Sequence, residues 1–232
     1  MAEKIYTIPV NEAFDKKDGC PFCTLYEMLV SREFEILMGG AMMEPDVRIA
    51  TNEKGFCDEH FAMLLGLQKR LQAGLMLESH FSEKVMPTLS GGMLTKPEKV
   101  GEKAEALATD CYICDRVSDK LSKMFETAVY LFETDSAFKK KLAEQPYFCL
   151  RHYGRFVRTA SHELNKKRLA EFYEIISEKE KAYASELLAD VSWYCKKFDY
   201  RYKDEDWKNS KDSLERSKKF LCGSEHTTKN GK

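Results

Sequence analysis

The sequence predicts an all-α protein: two duplicated, zinc-clamped helical units joined by a long C-terminal helix. Three observations lead there. Apolar residues recur at three- and four-residue steps over most of the chain, and only Ile5 to Val10 alternates enough for a short extended segment. A four-ligand pattern occurs twice. Cys20-Pro21-Phe22-Cys23 is answered by Phe56-Cys57-Asp58-Glu59-His60, and Cys111-Tyr112-Ile113-Cys114 by Phe148-Cys149-Leu150-Arg151-His152. Finally, Leu169, Phe172, Ile176, Tyr183, Leu187, Val191, Tyr194 and Phe198 form one apolar stripe at steps of three, four and seven.

The elements follow in order. Pro9 makes the N-terminal arm a poor central strand, and Asn11 could cap a turn through Phe14. Pro21 suits a first helical position, since its missing N–H would have no partner there, and Leu25, Leu29, Phe34, Ile36 and Leu37 carry that helix to Gly39-Gly40. A loop is expected through Pro45, Asn52 and Gly55. One helix should then run from Cys57 to about Val85. Met86 to Gly92, with Lys96-Pro97-Glu98, is the clearest break. It separates a first unit, 1–90, from a second, 103–223.

The second unit repeats the plan. A helix is expected from Cys111 to Phe132, a shorter one from Ser136 to Ala143 stopped by Pro146, and another from Cys149. A long helix should follow Ser161 to about Lys197, reaching roughly 55 Å at ~1.5 Å per residue. The last helix, Ser213 to Leu221, is closed by Gly223, and a polar tail expected to be disordered follows.

Composition narrows the function. The chain has 232 residues, enough for one large or two small domains, and 43% of them are apolar. Charged residues make up 32% but cancel to a net charge of −1, so no field draws the chain to nucleic acid or an anionic membrane. Neither is expected as a partner. No basic-then-apolar leader is visible at Met1 to Thr7, and no apolar run has the length of a membrane span. The expected location is the cytoplasm. In that reducing compartment, cysteine clusters are explained by metal rather than by disulfides.

Six of the eight cysteines and two of the five histidines fall in the repeated pattern. Cys20 and Cys111 lie 91 positions apart, Cys57 and Cys149 92, as a duplication with one inserted residue would leave them. Thiolate and imidazole suit the borderline-soft zinc ion. Cysteines three apart at a helix start can both ligate, and the helix dipole there favours thiolate. Cys57 and His60 share one helix face, as do Cys149 and His152. Taking each CxxC with the FCxxH that follows gives Cys20, Cys23, Cys57 and His60 as one ligand set. Cys111, Cys114, Cys149 and His152 form the other. Exchanging the two FCxxH segments would use the same eight residues. Three thiolates and one imidazole leave no open position for water, so two structural Zn2+ ions are expected, with an iron–sulfur cluster as the second reading.

Other chemistry is less well supported. Cys20-Pro21-Phe22-Cys23 resembles a glutaredoxin active site, but Asp15 to Gly19 is not the apolar strand that fold needs. Haem attachment needs CxxCH, and Thr24 and Asp115 stand where the histidine would be. His80, His162 and His226 read as surface or helix-face residues, and Cys195 as a core thiol. Phe198, Tyr200, Tyr202 and Trp207 lie among charges of both signs, either as a lid on the helical body or as a protein-binding strip. No catalytic constellation is visible, and the reading leans away from an enzyme.

Further residues carry a resemblance. Ile5-Tyr6-Thr7-Ile8-Pro9-Val10-Asn11-Glu12-Ala13-Phe14, the two CxxC…FCxxH sets, Thr51-Asn52 before Gly55-Phe56-Cys57, and Lys197-Phe198-Asp199-Tyr200-Arg201 together resemble a bacterial family, domain of unknown function 6062. The resemblance covers nearly the whole chain and implies no particular activity. The expectation is thus a cytosolic zinc-binding helical protein, its zinc structural, serving as an interaction module for an unidentified protein partner. The alternative is a thiol-redox or metal-responsive protein using labile Cys3His sites.

Overall fold

A computed structural model describes residues 4–91 and 95–225. Among them every regular element is helical and no strand occurs. The N-terminal arm is not extended. A 3-10 turn at Lys4–Tyr6 leads into α1 (Thr7–Asp15). Pro9 falls in the first turn, where a missing N–H costs nothing, and the Asn11 amide donates to the Thr7 carbonyl at 3.0 Å. Val10, Ala13 and Phe14 then bury one face, so helical spacing rather than alternation governs the segment.

Helix α2 (Pro21–Gly39) has the expected bounds. The expected loop after it holds a 3-10 turn at Ala41–Met43 and α3 (Pro45–Lys54). Pro45 and Asp46 suit a first turn, and Gly55 stops the helix at φ 59°. A β-carbon on Gly55 would lie 3.2 Å from the His80 ring.

The single helix expected from Cys57 to Val85 is interrupted. It comprises α4 (Asp58–Gly66), α5 (Arg70–His80) and a π-helical turn at Phe81–Val85 that runs into α6 (Met86–Ser90). The interruption comes where Leu67 turns extended after Gly66, and the Lys69 ammonium holds the Met38 carbonyl at 2.7 Å. Within the expected break, Pro97 starts α7 (Pro97–Thr109).

Helix α8 (Tyr112–Thr134) and α9 (Ser136–Ala143) match expectation, the latter capped by Asp135 accepting from the Ala137 N–H. Next come α10 (Leu150–Glu163) and α11 (Lys166–Lys196). The Asn165 side chain caps α11 by accepting from Arg168 N–H. The 31 residues of α11 reach about 46 Å. Helix α12 (Ser213–Cys222) ends at Gly223 with φ 65°.

Two compact units form, but not the halves 1–90 and 103–223. One combines residues up to Glu27 with Leu121–Glu225; the other is Met28–Lys120. The expected boundary near residue 90 lies inside the latter. The chain passes between units within α2 and α8, because each begins in one cluster of contacts and is long enough to end in another.

The first unit has an aromatic core. Phe22 stacks on Phe125 with centroids 3.8 Å apart and meets Phe156 edge-on at 4.8 Å; Phe14 tilts against Phe138 at 4.8 Å. Phe148 and Phe172 complete a cluster closed to solvent. In the second unit Leu29, Leu37, Met38, Met42, Leu64 and Met76 are buried beside a polar network. The Ser79 hydroxyl donates to Asn52 Oδ1 at 2.8 Å and receives Arg48 Nη2 at 2.8 Å, and the Asn52 amide donates to Glu83 at 2.9 Å. His80 is a helix-face residue, as expected, on the buried face of α5, its Nδ1 2.7 Å from the Asn52 carbonyl.

After α11 the chain folds back. The Lys197 ammonium donates to the carbonyls of Tyr202 (2.7 Å), Lys203 (2.8 Å) and Glu205. Trp207 lies half-buried against Tyr194, while Phe198 and Tyr200 remain 73% and 83% exposed. Among the described residues, no helix is long and apolar enough to cross a membrane.

Candidate metal centres

The eight expected ligands gather into two groups, with the FCxxH partners exchanged. Cys20 and Cys23 meet Cys149 and His152, whereas Cys111 and Cys114 meet Cys57 and His60. Each unit holds one group. The pairing of each CxxC with the next FCxxH is therefore corrected. The reason is helix length. From Cys23 the 19 residues of α2, about 28 Å, carry the chain out of the first unit, and Cys57 is reached only within the second. Helix α8 likewise carries the chain away from Cys114 before Cys149 is reached.

Local structure aims the donors. Cys20 immediately precedes α2, and the N–H groups of Cys23 and Thr24 both reach the Cys20 carbonyl, folding both sulfurs to one side. Cys57 and Cys149 stand just before α4 and α10, so His60 and His152 follow within the first turn. The Tyr112 N–H donates to the Gly55 carbonyl at 3.0 Å, joining the two ligand segments of the second centre. In the first, the buried Glu180 carboxylate accepts the Phe148 N–H at 2.5 Å.

The spacings fit a tetrahedral ion. Bonds of ~2.3 Å to sulfur and ~2.1 Å to nitrogen imply donor separations of about 3.8 Å between sulfurs and about 3.6 Å between sulfur and nitrogen. In the first centre Cys23 and Cys149 sulfurs are 3.7 Å apart. His152 Nδ1 lies 3.5, 3.5 and 3.2 Å from the sulfurs of Cys20, Cys23 and Cys149. In the second, Cys57 and Cys114 sulfurs are 3.8 Å apart, and His60 Nδ1 lies 3.2, 3.2 and 3.3 Å from Cys57, Cys111 and Cys114. No pair of donors within either group is more than 4.8 Å apart, and every cysteine is a free thiol. These groups could each hold a metal ion.

Electrostatics agrees with that use. Hydrogen bonding with Cys149 and Cys20 pushes Cys23 far toward thiolate, and hydrogen bonding with Cys114 brings Cys111 down to about 3. Burial lifts Cys20, and the hydrogen bond with Cys111, joined by burial, lifts Cys114. Sulfurs this close cannot all be anionic side by side; a cation among them removes the conflict.

Both histidine rings lie in aromatic surroundings. His152 is 6.0 Å from the Phe22 ring, and His60 is 5.8 Å from Phe34. Their outer nitrogens differ. His152 Nε2 lies 3.0 Å from Glu225, whereas His60 Nε2 is buried without a partner among the described residues. No motif pointed to Glu225, which stands 73 positions from His152. His162, Cys195 and Cys222 are exposed and lie in neither group, so Cys195 is not a core thiol. His226 lies outside the described residues.

Fold and site together define an all-α protein with two Cys3His groups suited to metal. The chain belongs to the family of unknown function DUF6062, whose model matches residues 1–228. Neither the curated proteins nor the solved structures hold a match to it.

Proposed function

We propose that the chain is a zinc-binding helical protein holding two structural ions. Cys20, Cys23, Cys149 and His152 would hold one, and Cys57, His60, Cys111 and Cys114 the other. The observation that carries this reading is that each donor set gathers within 4.8 Å, with sulfur–sulfur spacings of 3.7 and 3.8 Å at the tetrahedral edge length and sulfur–nitrogen spacings of 3.2–3.5 Å just under it. Zinc is favoured over other ions because three thiolates and an imidazole match its softness. With four protein donors no position is left for water, so the ion's contribution is to tie segments distant in sequence. Such a protein belongs in a reducing compartment, where its thiols stay free. Its working surface is for another protein. Near-zero net charge argues against nucleic acid or membrane, and the exposed Phe198 and Tyr200 are anchors of the kind protein partners use. Elemental analysis of purified protein should find two zinc ions per chain. One ion, none, or an iron–sulfur absorbance band would sink the reading.

One observation favours a labile, thiol-reactive role. A cavity of about 220 Å³ is lined by Cys20 and Cys23, so solvent approaches the first centre's sulfurs. Alkylation separates the roles. If both ions are structural, only Cys195 and Cys222 label in the metal-loaded protein, and the other six label after a chelator is added. Rapid labelling of Cys23 with loss of one ion would favour the redox reading.

A further inference from the structure

We propose that Gly223–Ser224–Glu225 is a clasp belonging to the first centre, with Glu225 the positioning residue of His152 and the clasp the gate to the metal donors. This rests on the metal reading above.

His152 turns Nδ1 toward three sulfurs at 3.2–3.5 Å, so in a neutral ring its hydrogen sits on Nε2. Nε2 lies 3.0 Å from Glu225 Oε2, which accepts that hydrogen. A carboxylate on the far nitrogen fixes the ring's tautomer and rotation and raises the basicity of the ligating nitrogen. Glu225 is itself held: the Arg155 guanidinium lies 3.6 Å from its other oxygen, and Arg151 donates to its main-chain carbonyl.

The two preceding residues press on the sulfurs. Gly223 adopts φ 65°, and a β-carbon there would fall 2.5 Å from the Cys149 sulfur and 3.2 Å from that of Cys23. The close approach therefore requires glycine. Ser224 N–H donates to the Cys23 sulfur at 3.4 Å, and its hydroxyl donates to Glu27 at 2.6 Å. Gly223 and Ser224 also border the cavity that reaches Cys20 and Cys23. Lifting three residues would thus free the histidine and widen the approach to two thiolates. The second centre gives the contrast, because nothing among the described residues holds the Nε2 of His60.

The test uses the full-length chain loaded with zinc and mixed with excess 4-(2-pyridylazo)resorcinol, following release in time. A parallel ¹¹³Cd-loaded sample gives one NMR resonance per centre. Glu225→Ala should speed release from the first centre about 10–100-fold, the usual effect of losing such a partner, and shift its cadmium resonance alone. Glu225→Gln keeps an acceptor without the charge and should fall between wild type and Glu225→Ala. Gly223→Ala, acting on the sulfurs rather than the imidazole, should speed the same phase. A merely structural tail would lower the melting temperature without moving one cadmium resonance selectively. Wild type holding two ions, with Glu225→Ala leaving both resonances and both phases unchanged, overturns the clasp and spares the metal reading. Wild type holding no metal overturns both.

Discussion

The two units carry the same four donor types in different surroundings. Around the first centre the core is aromatic: Phe14, Phe22, Phe125, Phe138, Phe148, Phe156 and Phe172 are closed to solvent. Around the second it is mainly aliphatic and methionine-rich, with Phe34 and Phe56 the buried phenylalanines, and a buried carboxylate joins its helices. Glu33, only 2% exposed, meets Arg116 at 2.6 Å and the Lys120 ammonium, and these contacts outweigh burial to hold its carboxyl below the usual range. Large rings remove more apolar area from water than Leu or Met and add edge and stacking terms. A duplicated set of donors thus sits in unequal energetic surroundings. The second unit should lean on its metal more than the first.

Removing a ligand from each centre tests this most severely. Cys57→Ala and Cys149→Ala should each lower metal content from two ions to one. Hydrogen exchange should rise near Cys111–Cys114 in the former and near Cys20–Cys23 in the latter. That pattern distinguishes the exchanged pairing from pairing with the nearer motif, and protection lost around Cys20 in Cys57→Ala would contradict it. The loss should spread further in Cys57→Ala, since metal binding energy is folding energy and less apolar burial remains to replace it.

A core substitution sharpens the contrast. Phe22→Ala should cost about 3–5 kcal/mol in denaturant unfolding, since the ring is fully buried between Phe125 and Phe156. Asn52→Ala should cost about 0.5–1.5 kcal/mol by removing the buried amide's hydrogen bonds with Ser79 and Glu83 in the second unit. If Asn52→Ala proves the more damaging, polar ties dominate more than the packing suggests.

A smaller effect distinguishes the units by pH. Burial pushes Glu180 in the first unit up to about 7, the Phe148 N–H opposing it only in part. Its folded value thus exceeds the ordinary value of about 4.3. The stability linked to this group is fully present below about pH 4.3 and is lost as pH rises through 7. Glu180→Gln, which still accepts from Phe148, should raise the melting temperature at pH 8, with the gain shrinking toward pH 5. An equal gain at both pH values would show that ionisation is not the cause.

The weakest expected effect lies in the aromatic loop. Tyr200→Ser should change stability by less than about 0.5 kcal/mol, because the ring is 83% exposed. Half-buried Trp207→Ala should cost more, though less than the 3–5 kcal/mol typical of a buried ring. A large loss for Tyr200→Ser would mean that the loop supports the fold through contacts its exposure does not reveal.

By itself the sequence determined the class, the candidate metal donors and most helix positions. Zinc-type donors announce themselves by residue type and short spacing, and α2, α8, α9, α11 and α12 carry periodic apolar faces with local start and stop signals. It misread α1 and α3, where Pro9 and Pro45 suggested extended chain or loop but occupy first turns that tolerate proline. Which FCxxH meets which CxxC, where the units divide, and that Glu225 and Gly223 close the first centre were decided only by the tertiary structure. Each depends on where a helix of a given length sets the chain down. Spacing along the sequence fixes a helix's length and face but not the direction in which it packs.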